Sequence, residues 1–427
     1  MKLNLKLKSG ALQFAVFVAV LIALLLSGLM LYAHTFTFMK DQSKGAIANI
    51  HISDSGINYM LNYHEIMIDT IKLNLFEKEN QTIKVHLSNW GVFEKAYTVS
   101  QFRKKKFVKT ALIGSKINSL ESPTLFLQET QNPLTLAGNT KIQGIAYLPS
   151  QGVKAGYVAG NSYFGSQLIY GSLKKSTTVL PKLSNDFIET LEFYLKNYKP
   201  LTQKDFINLQ SNRRIIISFK EKTKGVYSKE AIVLEDTEIT GNIIIKSDTL
   251  IRIKNTALLK DLILIAPIIE VEDGTIGIFQ SIASKKITIG KNCKLNYPSA
   301  LVLFKDNYNN PNSIINNTLD NQIFIDSATI IKGSICYFQT KEITDFKTQI
   351  VLEKDARIKG QVYCNGNFEL KGSVSGSVYT KQFIANESGS IFVNHIYNGI
   401  IENQNIPNIF GGIILDKESK TIMKWLY

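Results

Sequence analysis

The residues best able to do chemistry in this chain are few and scattered. Ser172 and Lys175 have the S-x-x-K spacing in which a lysine can activate a serine. Asp248, Asp261, Glu270, Glu272 and Asp273 fall in strand-like sequence, where carboxylates on an outer face could act on a glycosidic bond. The plainer reading keeps both sets as solvated side chains on the surface, since a chain rich in serine and lysine meets S-x-x-K by chance. The five histidines, His34, His51, His64, His86 and His395, show no metal-ligand spacing. "GSVSG" places Val374, not serine, at its centre, and Gly290-Lys291 is followed by Asn292 without the upstream glycine of a phosphate loop. Cys293, Cys336 and Cys364 contain no C-x-x-C pair. No catalytic, cofactor-binding or metal-ligating residue is therefore assigned. No cofactor is expected, and the chain is expected to be non-enzymatic.

The stretch "ARIKGQVYCNGNFELKGSVSGSVYTKQF", Ala356–Phe383, repeats hydrophobe-x-Gly-x-hydrophobe three times, as Ile358–Val362, Leu370–Val374 and Val374–Val378. The motif also occurs at Ile142–Ala146, Ile239–Ile243 and Ile331–Ile335. Alternating runs such as "LIRIK", "KITIG", "QIFID" and "QIVLE" lie between the copies, and alternation places side chains on opposite faces of a strand. The spacing varies, 27 residues from Ile331 to Ile358 and 12 from Ile358 to Leu370. A strict propeller would not tolerate that variation, whereas stacked strands with variable connections would. The glycines Gly144, Gly241, Gly333, Gly360, Gly372 and Gly376 are read as structural residues at corners, where other residues would strain. Cys336 and Cys364 lie 28 residues apart, as do Ala328 and Ala356. That spacing suggests equivalent stacked positions, occupied either by small buried thiols or by a disulfide between neighbouring strands.

These elements need a frame. Ala11–Ala33 is an uncharged apolar run of 23 residues, long enough as a helix to span a hydrocarbon core of about 30 Å. Lys2, Lys6 and Lys8 precede it, which predicts a cytoplasmic N-terminus and an uncleaved single-pass anchor in a bacterial inner membrane, with the bulk of the chain in the periplasm. A helical face is expected to continue through Ala46, Ile50, Ser53, Ile57, Met60 and His64. The start, "KSGALQFAVFVAVLIALLLSGLMLYAHTF" and then "GINYMLNY", resembles minor pilins and the K-class pseudopilins of type II secretion. Phe14, Ala15 and Val16 stand where major pilins carry an acidic residue. The resemblance implies a minor subunit of a pilus-like or secretion-like apparatus.

The expected organisation is a basic leader over 1–10, the anchor over 11–33, a helical continuation over 34–67 and a small mixed α/β region over 68–130. First β-helix turns over 134–172 are followed by an insertion over 173–228, with an amphipathic helix at 184–198. The main β-helix covers 229–396, and a C-terminal hairpin or cap covers 397–427. In the insertion, Ser184 or Asn185 can cap a stripe of Phe187, Ile188, Leu191, Tyr194, Leu195 and Tyr198, with Pro200 beyond its end. The fold class is thus mainly β: a transmembrane helix followed by a parallel β-helix, or solenoid, with an inserted amphipathic helix. The glycine-punctuated pattern resembles bactofilins, polymer-forming β-helical proteins, in patches over Gly138–Phe383. That resemblance implies self-assembly.

The chain is 44% hydrophobic and 20% charged, with a net charge of +14, so it is expected to be folded and basic. Its lysines are dispersed apart from Arg103–Lys106, which points to an acidic glycan or anionic lipid rather than nucleic acid. The leading expectation is a membrane-anchored, non-enzymatic envelope scaffold with an envelope-protein or self-assembly partner. The alternatives are a pilus-like subunit and a polysaccharide-active β-helix enzyme.

Overall fold

The computed structural model describes residues 9–63, 66–67, 69–73, 81–117, 122–199, 206–207, 213–305, 321–403, 406–407, 409–416 and 418–426. Readings that rest on Lys2, Lys6, Lys8, His64 and Pro200, and on residue 417 within the expected terminal turn, lie outside them. The chain is mainly β with one long apolar helix at its N-terminus. It divides into two compact units, one of residues 1–56, 71–85 and 98–108, the other of 57–70, 86–97 and 109–427.

In the first unit, helix α1 (Ser9–Leu61) is 53 residues long, and its apolar side chains from Leu12 to Tyr32 are exposed. It is long and apolar enough to cross a membrane. Past that stretch the buried stripe runs Gly45, Asn49, Ser53, Gly56, while Ala46 and Ile50 face out. The expected face is therefore displaced by one residue at its start. Close approach explains the shift. Gly45 lies against the Phe102 ring, and a Cβ at Gly56 would collide with Ile83. Polar contacts fix the register: Asn49 Nδ2 donates to the Lys105 carbonyl at 3.1 Å, and Ser53 Oγ donates to Ser100 Oγ at 2.9 Å. Strand β1 (Ile71–Leu73) pairs antiparallel with β2 (Gln81–Trp90), and the sheet continues through β3 (Phe93–Phe102) and β4 (Lys105–Lys116). The mixed α/β region expected over 68–130 contains strands and no helix among the described residues.

The second unit is built on a ladder of parallel strands. One inward column runs Ile239, Leu259, Gly277, Leu295, Ile331, Ile358, Val374, Ile401, Ile142, each in register with the next. Its aliphatic side chains are at most 3% exposed, and each burial is worth about 1.5–3 kcal/mol before ordering costs. The order of the ladder is not the order of the chain. It opens on Arg214–Ile217 and proceeds in sequence to Ser373–Glu387. Leu125–Leu127 then pairs in parallel with Val378–Thr380, Ala146–Leu148 pairs with Leu125, and Leu173–Lys175 closes the far end. The segment expected to come first, 134–172, thus lies at the far end of the ladder. The main array begins near 214 rather than 229.

The corner glycines stack. Gly333, Gly360 and Gly376 are in register, with φ of 147°, 140° and 152°. A Cβ on any of them would run into a backbone oxygen one rung away. Gly144 and Gly241 likewise have positive φ. Gly372 does not share this corner. It precedes the strand in a bend, and the overlapping copy Val374–Val378 supplies the equivalent glycine.

Cys336 and Cys364 are buried free thiols. Their spacing of 28 exceeds the local pairing offset of 27 by one, so Cys336 pairs with Tyr363 and Cys364 with Tyr337. A one-residue offset reverses the face, and the two thiols belong to different hydrophobic clusters. Burial pushes the Cys364 thiol up to about 12.

Helix α2 (Asn185–Glu192) starts as expected. Ser184 Oγ accepts from Phe187 N at 3.2 Å, and a π-helical turn over Phe193–Asn197 follows. Phe187, Leu191 and Tyr194 bury against the ladder's second cluster. The buried Lys246 Nζ donates to the carbonyls of Tyr194, Leu195 and Tyr198 at 2.9, 3.1 and 3.0 Å, satisfying the orphan acceptors at the helix end.

Among the described residues of 397–427, expected as a hairpin or cap, the strands do not pair with each other. Ile400–Glu402 is a ladder strand, while Gly411–Gly412 and Lys420–Leu426 each pair antiparallel with β4. Lys420 Nζ lies 2.7 Å from both Glu94 oxygens and 2.8 Å from the Tyr63 carbonyl, and its side chain is 2% exposed. Burial pushes the Glu94 carboxyl above its usual range despite the lysine.

Candidate functional site

Three outer faces of the ladder differ in what covers them. The first is packed under protein. Its column runs Lys246, Ile265, Ile282, Val302, Cys336, Tyr363, Tyr379, Phe126, Tyr147, and α2, the Trp90–Phe93 turn and the C-terminal strand bury most of it. Two buried glutamines clamp the cover. Gln280 accepts from Val92 N at 2.8 Å and donates to the Trp90 carbonyl at 3.2 Å, and Gln361 accepts from Ile413 N at 2.6 Å. This face is structural.

The second face carries ion pairs, most of them between successive rungs. Arg252 meets Glu270 at 2.8 Å, Lys254 meets Glu272 at 2.7 Å, and Lys371 meets Glu353 and Glu369 at 3.1 Å. The carboxylates singled out in the sequence are accounted for here and nearby. Asp261 pairs with Lys424 at 2.6 Å, Asp248 accepts from Tyr227 at 2.6 Å, and Asp273 accepts from Lys291 N at 2.8 Å. Each has its own local partner, and the five do not converge. Among the described residues no group of three histidine, cysteine or acidic side chains is placed to hold a metal. Ser172 precedes a three-residue edge strand, Leu173–Lys175, and Lys175 is its last residue. Residues three apart point to opposite faces of a strand, so they make no serine–lysine pair.

Among the described residues nothing packs over the third face. Two outward columns run along it, the positions that flank the hydrophobe just before the corner glycine. One contains Lys294, Ile330, Arg357, Ser373, Ile400 and Lys141 in register. The other contains Lys332, Lys359, Ser375, Glu402 and Gln143, and Thr240 and Lys260 continue the same position on earlier rungs. Lys260, Lys294, Lys332, Arg357 and Lys359 have no ion-pair partner among the described residues. Lys332 and Lys359 are direct neighbours on adjacent rungs, about 4.8 Å apart along the ladder. Like charges opposite one another destabilise a sheet, so the fold alone does not favour this pairing. At the corner beside these columns lies a groove of about 720 Å³, lined by Arg357, Lys359, Ser373, Ser375, Asn398 and Glu402 among others. Ser375 Oγ donates to Glu402 at 3.2 Å.

The sequence held the signal for this face. Apart from Lys371 before Gly372, the residue before each motif glycine is Gln143, Thr240, Lys332, Lys359 or Ser375, and reading that position down the copies would have exposed the column. No family model, curated protein or solved structure matches the chain.

Proposed function

We propose that the chain is a membrane-anchored, non-enzymatic scaffold of a bacterial envelope, held in the inner membrane by residues 11–33 with its bulk in the periplasm. In this reading the ladder is a parallel β-helix with an inserted amphipathic helix. The carrying observation is the stitched ladder: strands more than 250 residues apart in sequence, at Leu125 and Val378, pair side by side. Such pairing makes a stiff body whose ends cannot peel away independently. The apolar α1 supplies the anchor, and the local pairing of the candidate carboxylates supports a non-enzymatic role.

Self-assembly through the ladder ends is disfavoured. The far-end strand carries exposed Lys174 and Lys175, and the opening strand begins at exposed Arg213 and Arg214. Basic side chains on an edge strand oppose pairing with another edge. Full-length chain in detergent is expected to sediment as one small species without filaments. Filaments joined end to end would contradict this. Filaments built on α1 would instead favour a pilus-like subunit, a second reading supported by exposed Phe36, Phe38, Met39, Ile47 and Ile50 beyond the apolar span.

A further inference from the structure

We propose that the bare basic face binds a linear acidic glycan laid along the ladder, its negative groups meeting Lys332, Arg357 and Lys359. The choice of a glycan rests on the envelope reading above. The binding surface itself rests on geometry. Lys332 and Lys359 are in register on adjacent rungs, and Arg357 stands two residues before Lys359, on the same outward side of its strand. Lys294 extends the row, two pairings from Arg357 through Ile330. This regular spacing suits a polymer with repeated charge better than a single small anion.

Two observations set the chemistry of the occupant. The first is charge. In the two columns, Lys141, Lys260, Lys294, Lys332, Arg357 and Lys359 stand against Glu402, while Glu238 is held by Arg214 at 3.0 Å. Like charges held side by side, without ion-pair partners among the described residues, gain by attracting a polyanion. The second is the company they keep. Ser373 and Ser375 stand in the same columns, and Asn398 lines the groove at the corner. They offer hydroxyl and amide hydrogen bonds to sugar oxygens. Tyr397 lines the groove and Tyr170 follows Gln143 in register, but no aromatic side chain is in register with Lys332, Arg357 or Lys359, and single-stranded nucleic acid binding without sequence preference relies on aromatic stacking platforms. A carboxylated polysaccharide therefore fits better than a nucleic acid.

The test uses full-length chain in detergent, with polygalacturonate as the probe and neutral dextran and single-stranded DNA as comparisons. Polygalacturonate is expected to bind, to release as salt rises, and to outcompete DNA at equal charge. The variant Lys332→Gln/Arg357→Gln/Lys359→Gln is expected to bind polygalacturonate at least tenfold more weakly. The control Lys220→Gln/Lys222→Gln removes two exposed lysines elsewhere and should change binding less than twofold. The triple variant alters exposed or half-exposed side chains, and an unchanged melting curve confirms that it folds. Equal loss in variant and control, or no binding by the wild type, would overturn the inference. Preferential DNA binding that falls in the triple variant would overturn it too, in favour of a nucleic-acid surface. Absent glycan binding in a chain still anchored in the membrane would defeat this inference and leave the scaffold reading standing.

Discussion

Replacing Gly360 with valine is expected to cost at least about 3 kcal/mol of stability, a large fraction of what holds a domain folded. Two effects add. The residue has φ of 140°, a region that L side chains rarely adopt. Its new Cβ would also meet the Gly333 carbonyl oxygen. The strain has nowhere to go. Gly376, on the next rung, is equally tight against the Gly360 carbonyl, so moving Gly360 transfers the collision to its neighbour. Gly389 makes the matching control. It has a positive φ of 77° but open space around the absent Cβ, and alanine there should cost only about 1 kcal/mol. Thermal unfolding followed by circular dichroism separates the two. A Gly360→Val chain that melts with the wild type would mean that the stacked corner is wrong.

Changing Lys420 to methionine should be nearly as damaging, by about 3–5 kcal/mol near neutral pH, because it strands a buried carboxylate. Glu94 is 4% exposed, and the lysine gives it both of its short contacts. The loss should depend on pH with a definite sign. Burial already raises the Glu94 carboxyl, and Lys420 is the influence that lowers it. Without the lysine the folded-state value climbs further above the unfolded one. The folded variant then favours the protonated acid. Its stability is greatest below the ordinary carboxylate range and is lost as pH rises through the raised value. Urea unfolding of wild type and variant at pH 5 and pH 8 should show the larger gap at pH 8. Glu94→Gln together with Lys420→Met should recover much of the loss. An equal deficit at both pH values would show that the stranded charge is not the cause.

Much of the ladder was legible because strands announce which side chains face in. Alternation gave the inward aliphatics such as Ile331 and Ile358, and the repeated glycine gave the corners at Gly333 and Gly360. Alternation does not say which strand lies beside which. No turn chemistry links Leu125 to Val378, so the closure of the ladder by its own N-terminal strands had no local signal. Near misses have the same origin. Gly372 and Gly376 belong to overlapping copies of one motif, and only the pairing of Gly376 with Gly360 decides between them. The Cys336 and Cys364 faces turn on a single residue of register. On α1, Gly45 and Gly56 read as weak helix positions, yet they mark the side where the Phe102 and Ile83 side chains come close. The basic columns went unread because lysine at an outward position looks like ordinary solubility until its neighbours on adjacent rungs are known.

The account stands on an anchored chain with its ladder outside the cytoplasm. The most direct measurement is N-terminal sequencing of the mature protein, joined to alkaline extraction of membranes and protease digestion of spheroplasts. The account predicts that residues 11–33 are retained, that alkali leaves the chain in the membrane, and that external protease reaches the lysine-rich ladder. A mature chain that begins near His34 and is released into the soluble fraction would contradict it.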